Sequence, residues 1–99
     1  MVKRGGSQAY TLVFTEQYEQ KAARFLKKHP ALQKQYLKTL QLLEANPYHP
    51  SLRLHALADH FSGLHSVSIN LSYRITIELI LTETEIILVN VGDHDPVYR

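Results

Sequence analysis

Residues 66–91 read SVSINLSYRITIELILTETEIILVNV, and the spacing of their apolar positions decides the fold. Val67, Ile69 and Leu71 alternate with Ser66, Ser68 and Asn70, and Ile75, Ile77, Leu79 and Leu81 alternate with Arg74, Thr76, Glu78 and Ile80. A period of two marks strands with one face in a core and one face out of it. Thr82 to Glu85 supply a polar turn, and Ile86 to Val91 give a third strand, apolar enough to be central. Gly92 is expected to release the chain into the tail Asp93-His94-Asp95-Pro96-Val97-Tyr98-Arg99.

Upstream of this run the period changes. Tyr10, Leu12 and Phe14 alternate with Ala9, Thr11 and Val13, which predicts a first strand over 9–14. Thr15 is placed to cap a helix whose first turn carries Glu16 and Glu19, and Tyr18, Ala22, Phe25 and Leu26 form its apolar stripe. His29-Pro30 ends that helix, because a residue before proline is pushed out of the α region. Pro30 then opens a second helix, with Leu32, Tyr36, Leu40 and Leu43 on one side, which closes at Asn46-Pro47. So short a break predicts an antiparallel helical hairpin rather than a long kinked helix. Residues 52–57 hold a further short strand, and Asp59 to Gly63 a polar turn. The order strand, two helices, three or four strands indicates one α+β domain over residues 1–99, with helices on one face of an antiparallel sheet.

Composition narrows the chemistry. A chain of 99 residues supports a single core, and 44% hydrophobic with 20% charged residues fits a globular chain rather than a disordered one. With no cysteine, disulfide scaffolds, thiolate zinc sites and thiol nucleophiles are excluded. The longest wholly apolar run is Ile86 to Val89, far short of the roughly 20 residues that span a bilayer, and no apolar stretch follows Met1. A cytoplasmic protein without a membrane partner is expected. Eleven Lys and Arg against nine Asp and Glu leave a net charge of only +2, although Lys21, Arg24, Lys27, Lys28, Lys34 and Lys38 crowd the helical segment. Whole-chain charge of that size does not define a nucleic-acid binder; a local patch would.

Parity picks out the candidate site. If Ile75 and Ile77 face the helices, Arg74 and Thr76 project from the opposite face, together with Ser66, Ser68 and Asn70. His55, His60 and His65 are spaced five apart, which does not match paired metal ligands on a helix, so no metal site and no cofactor is expected. His94 lies between Asp93 and Asp95, where a carboxylate can fix its tautomer. No phosphate loop, GxSxG or paired-carboxylate motif is present.

The order of these signals resembles the RelE/ParE superfamily of bacterial toxins from type II toxin–antitoxin operons. The resemblance rests on the strand ending at Phe14, the hairpin closing at Asn46-Pro47, Ser62-Gly63, Tyr73-Arg74-Ile75, and Val91-Gly92-Asp93-His94-Asp95-Pro96-Val97-Tyr98. It implies a metal-independent endoribonuclease that cuts mRNA in the ribosomal A site, and a cognate antitoxin as protein partner. Carried over residue by residue, it places a phosphate-holding cation at Arg74, a His after the last strand at His94 and a C-terminal aromatic at Tyr98. The YafQ-like branch adds a His at the position of His55, but its following Asp and His read Ser66 and Ser68 here. RNA cleavage by the 2′-hydroxyl needs a base, an acid and a cation, so His55 and His94 are expected as the proton-transfer pair, unassigned between them. Arg74 would hold the phosphate, Tyr98 would stack a base or position the nucleophile, and Arg53 and Arg99 are secondary phosphate contacts. Arg74 and His94 are therefore expected to share one hollow. Two other outcomes remain open to the same fold: a ParE-like inhibitor of DNA gyrase, and an inactive protein-binding module.

Overall fold

The computed structural model describes residues 10–57 and 63–93. Its elements run β1 (Thr11–Phe14), α1 (Glu16–Lys28), α2 (Gln33–Ala45), β2 (His55–Ala56), β3 (Leu64–Ser68), β4 (Tyr73–Ile80) and β5 (Glu85–Asp93). The strands form one five-stranded sheet in the order β1-β5-β4-β3-β2. Every neighbouring pair is antiparallel except β1 with β5, which run parallel. The five strands are the N-terminal strand and a run of four, as the element order predicts, and the sheet departs from an antiparallel array only in the pairing of β1 with β5. The difference arises because the N-terminal strand joins the far edge, alongside the last strand of the chain.

Local chemistry accounts for the helices. Thr15 accepts the Tyr18 N–H at 3.0 Å through its Oγ1, Glu16 and Glu19 occupy the first turn of α1, and Lys27 and Lys28 occupy the last. Each of these complements the unsatisfied helix ends. His29 caps the helix just before Pro30, as expected. Pro30 does not start an α-helix directly; Pro30–Leu32 form one 3₁₀ turn and α2 begins at Gln33. The two helices fold back as a hairpin on one face of the sheet. Tyr18 and Tyr36, both buried, tie them together through a 2.6 Å hydroxyl–hydroxyl hydrogen bond.

The core lies between the helices and one face of the sheet. Tyr18, Ala22 and Phe25 of α1 and Tyr36 and Leu43 of α2 meet Val67, Ile75, Ile77, Ile86 and Leu88. Ile75 and Ile77 are fully buried, so β4 faces the helices with the parity expected from its alternation. Three local expectations are corrected. Leu71 belongs to no strand: Asn70 turns the chain by accepting the Ser72 and Tyr73 amides, and Leu71 is left 83% exposed. Leu81 likewise leaves β4 for a 3₁₀ turn over Leu81–Glu83. Gly92 does not release the chain, because β5 continues through it to Asp93.

Candidate active site

The strand register assembles the face opposite the helices. Directly paired residues point to the same side of a sheet. His55 pairs with Ser66, Ser66 with Thr76 and Thr76 with Asn90, so these four form one row across β2, β3, β4 and β5. The adjacent row holds Ser68, Arg74 and Gly92. Ser66, Ser68 and Thr76 lie on this face, yet Ser66 is only 2% exposed and the other two are also buried. They are short side chains on the two inner strands, so they make a floor rather than projecting into solvent.

β5 joins this face through a bulge. Ile77 pairs with Leu88 but Thr76 with Asn90, which leaves Val89 as an extra residue. Ile86 and Leu88 are buried before the bulge and Val91 after it. The inserted residue therefore shifts the inward parity from even to odd numbers and keeps Asn90 and Gly92 on the same face as Arg74. Bulges often sit where a strand must re-aim side chains beside a functional site.

Arg74 occupies the centre of this arrangement, and its Nη1 is buried with no hydrogen-bond partner among the described residues. Its two cross-strand neighbours explain why. The Ser68 hydroxyl donates to the Asn70 carbonyl at 2.7 Å and makes no bond to Nη1, and Gly92 has no side chain to offer. Among the described residues a Cβ at Gly92 would meet nothing within 4 Å, so they leave this position open. A charged donor held out of water without a partner is unfavourable by about 1–3 kcal/mol unless an anion completes it.

His55 is exposed on the short edge strand, two strands from β4 and one row from Arg74. Strand spacing and rise put the two Cα atoms about 12 Å apart, within joint reach of one phosphate for a His and an Arg side chain. The His55 Nδ1 lies 3.3 Å from the Arg53 carbonyl oxygen. A carbonyl can only accept, so Nδ1 is the donor in this contact; in the neutral ring that leaves Nε2 as the acceptor, the arrangement a general base uses. Arg53 presents that carbonyl from a left-handed backbone conformation, with φ at 51°, and its side chain is exposed. The sequence-predicted residues His55 and Arg74 thus share a face, and Arg53 precedes His55 by two residues, while His94, Tyr98 and Arg99 lie outside the described residues. His60 does too, whereas His65 pairs with Ile77 and therefore sits on the helix side. Parity places Ser66 and Thr76 on the face of Arg74, but Asn90 was not singled out from the sequence, because only the register shows that it joins their row.

Among the described residues no helix is long and apolar enough to cross a membrane. No family model and no curated protein matches the sequence. Solved structures do match, and what they share with this chain is the fold, that of the RelE/ParE toxins. A chain of the E. coli DinJ–YafQ toxin–antitoxin complex superposes with a TM-score of 0.72 at 13% identity, covering 92% of this chain and 99% of that one. The YoeB/ParE toxin from Agrobacterium tumefaciens gives 0.69 at 13% identity, over 86% of this chain and 99% of its own. A chain of the YoeB–YefM complex from Staphylococcus aureus gives 0.67 at 16% identity, over 87% and 98%. At these identities the likeness is one of architecture.

Proposed function

We propose that this chain is the toxin of a type II toxin–antitoxin pair, a cytoplasmic endoribonuclease that cuts mRNA on the ribosome and is held inactive by a cognate antitoxin. The carrying observation is the Nη1 of Arg74, which has no partner among the described residues and lies on the same face as His55 and beside Gly92. An exposed acidic partner would have satisfied a structural arginine; this one is left for an anion.

In the proposed reaction His55 Nε2 removes the proton from a 2′-hydroxyl, whose oxygen attacks the adjacent phosphorus. Arg74 donates to the phosphate oxygens that gather charge in the transition state. The bond from phosphorus to the 5′-oxygen breaks, His94 returns a proton to that oxygen, and a 2′,3′-cyclic phosphate remains. Tyr98 stacks on a neighbouring base, and Arg53 and Arg99 hold flanking phosphates. Ser66 and Ser68 supply no acid or base, so the proton transfers fall to the two histidines. The antitoxin partner follows from the same reading, since the matched YafQ and YoeB chains are found in complexes with DinJ and YefM.

The test is mRNA cleavage in a reconstituted translation reaction, mapped by primer extension. Arg74→Ala is expected to lower the cleavage rate about 10²–10³-fold, and His94→Ala about 10²–10⁴-fold. Undiminished cleavage by Arg74→Ala refutes the assignment. Stabilised gyrase–DNA cleavage complexes with intact mRNA would instead identify a ParE-like poison, and neither effect a binding module.

A further inference from the structure

A cleft of about 360 Å³ opens between α1 and the end of β5. Lys21, Arg24 and Lys28 enter it from the helix at spacings of three and four, one face of α1. They span about 10 Å along the helix axis. Among the described residues the strand side brings a single carboxylate, Asp93, and His29 enters from the helix cap. The His29 ring packs in a triangle with Phe25 and Tyr73, with centroids 4.8 and 4.7 Å away. Among the described residues neither Arg24 nor Lys28 has an ion-pair partner.

The strand edge in this cleft is unpaired but not free. β1 ends at Phe14 opposite Leu88, so no described strand flanks β5 from Val89 to Asp93. Side chains have taken two of its polar groups: Lys21 Nζ donates to the Val89 carbonyl at 3.5 Å, and Asn90 Oδ1 accepts the Val91 amide at 2.9 Å. A peptide adding as a further strand would have to displace both, which is how natural edges resist such pairing. Recognition in the cleft is left to its charge.

We infer that this cleft binds the phosphate backbone of single-stranded RNA next to the scissile nucleotide, with Lys21, Arg24 and Lys28 as the phosphate contacts. The inference rests on the ribonuclease reading only for the nature of the polyanion. Gly92 connects the two places: it lines the cleft and pairs with Arg74 across one strand spacing. A strand of RNA with one phosphate on Arg74 can therefore pass over the end of β5 into a groove of positive charge.

The test measures anisotropy of a labelled 12-nucleotide 2′-O-methyl RNA, which has no free 2′-hydroxyl and so reports binding without cleavage. Removing two phosphate contacts in Arg24→Gln/Lys28→Gln should weaken binding about 25-fold at 0.1 M salt and lower the salt slope by about 1.4. Lys27→Gln/Lys34→Gln removes the same charge outside the cleft and should do much less. Equal loss in both variants, or an unchanged slope in the first, overturns the inference. So does loss of binding to a 12-residue polyglutamate peptide with RNA affinity intact, which would make the cleft a site for an acidic protein segment. A chain that binds the RNA through Arg24 and Lys28 but never cuts mRNA would sink the nuclease and leave the cleft standing. Normal cutting with an unchanged slope would do the reverse.

Discussion

Replacing Arg74 by methionine should stabilise the free protein while abolishing its activity. Methionine keeps a long unbranched stem on the strand but removes the charge and all donors. An unsatisfied buried charged donor is unfavourable by about 1–3 kcal/mol. Arg74 as a residue is only half-buried, so the lower end applies and the expected gain is about 1 kcal/mol. In a domain of this size that raises the unfolding midpoint by about 4–8 °C. Thermal and urea unfolding followed by circular dichroism would measure it. A second arm adds inorganic phosphate: at ten times its dissociation constant a bound anion stabilises the native protein by about 1.4 kcal/mol, and Arg74→Met should lose that increment. If Arg74→Met is destabilised by a kilocalorie or more, and phosphate stabilises it as it does the parent, the guanidinium is a satisfied structural group and the site has been misread. The expected trade of stability for function is common where a binding residue is held ready without its ligand.

Two further outcomes follow from the fold. Burial pushes the Tyr18 hydroxyl above its ordinary value of 10.0, helped by its bond to Tyr36, and burial raises Tyr36 as well, against the opposing effect of that bond. Both are protonated in the folded and unfolded chain below pH 10, so their contribution is intact there; above it the unfolded chain ionises first and stability falls by up to about 1.4 kcal/mol per pH unit for each. Urea midpoints should be flat from about pH 7 to 9 and fall beyond 10, less steeply in Tyr36→Phe; equal slopes in the two proteins would refute the coupling. Deleting Val89 should leave a folded protein, because Leu88 still meets Ile77 and Asn90 still meets Thr76. It removes the carbonyl that Lys21 holds, so mRNA cleavage and RNA affinity should both fall; wild-type values for both would show the bulge to be incidental.

Much of this architecture was legible because it is local. Thr15, the two acids after it, and the proline pairs His29-Pro30 and Asn46-Pro47 act within a few residues, and the helix limits fell where they point except the start of α2, one 3₁₀ turn past Pro30. The alternation through Ile75 and Ile77 assigned the faces of β4, since one wrong step would have exposed two fully buried isoleucines. Leu71 misled because its hydrophobicity continued the alternation while the Asn70 side chain, reaching the amides of Ser72 and Tyr73, ended the strand. The parallel docking of β1 on β5 had no signal, as Thr11 and Glu85 are far apart in the chain and their pairing depends on how the hairpin returns the backbone.

The site was legible only where parity alone sufficed. Arg74 could be placed on the outer face from its own strand, but which residues stand beside it depends on register, and register in β5 depends on one inserted residue. In the run Ile86-Ile87-Leu88-Val89 every side chain is apolar, so no alternation marks the step at Val89. Had the strand run on regularly through Val89 instead of bulging there, the inward positions after Leu88 would be Asn90 and Gly92, an amide and an empty side chain in the core, with Val91 beside the arginine. With the bulge, Val91 fills the core and Gly92 leaves the guanidinium uncovered. The same residue gives its carbonyl to Lys21 and so draws the α1 cations to the end of the strand. The bulge thus sets both the unpartnered arginine and the neighbouring charged cleft, which is why the two are expected to serve one polyanion.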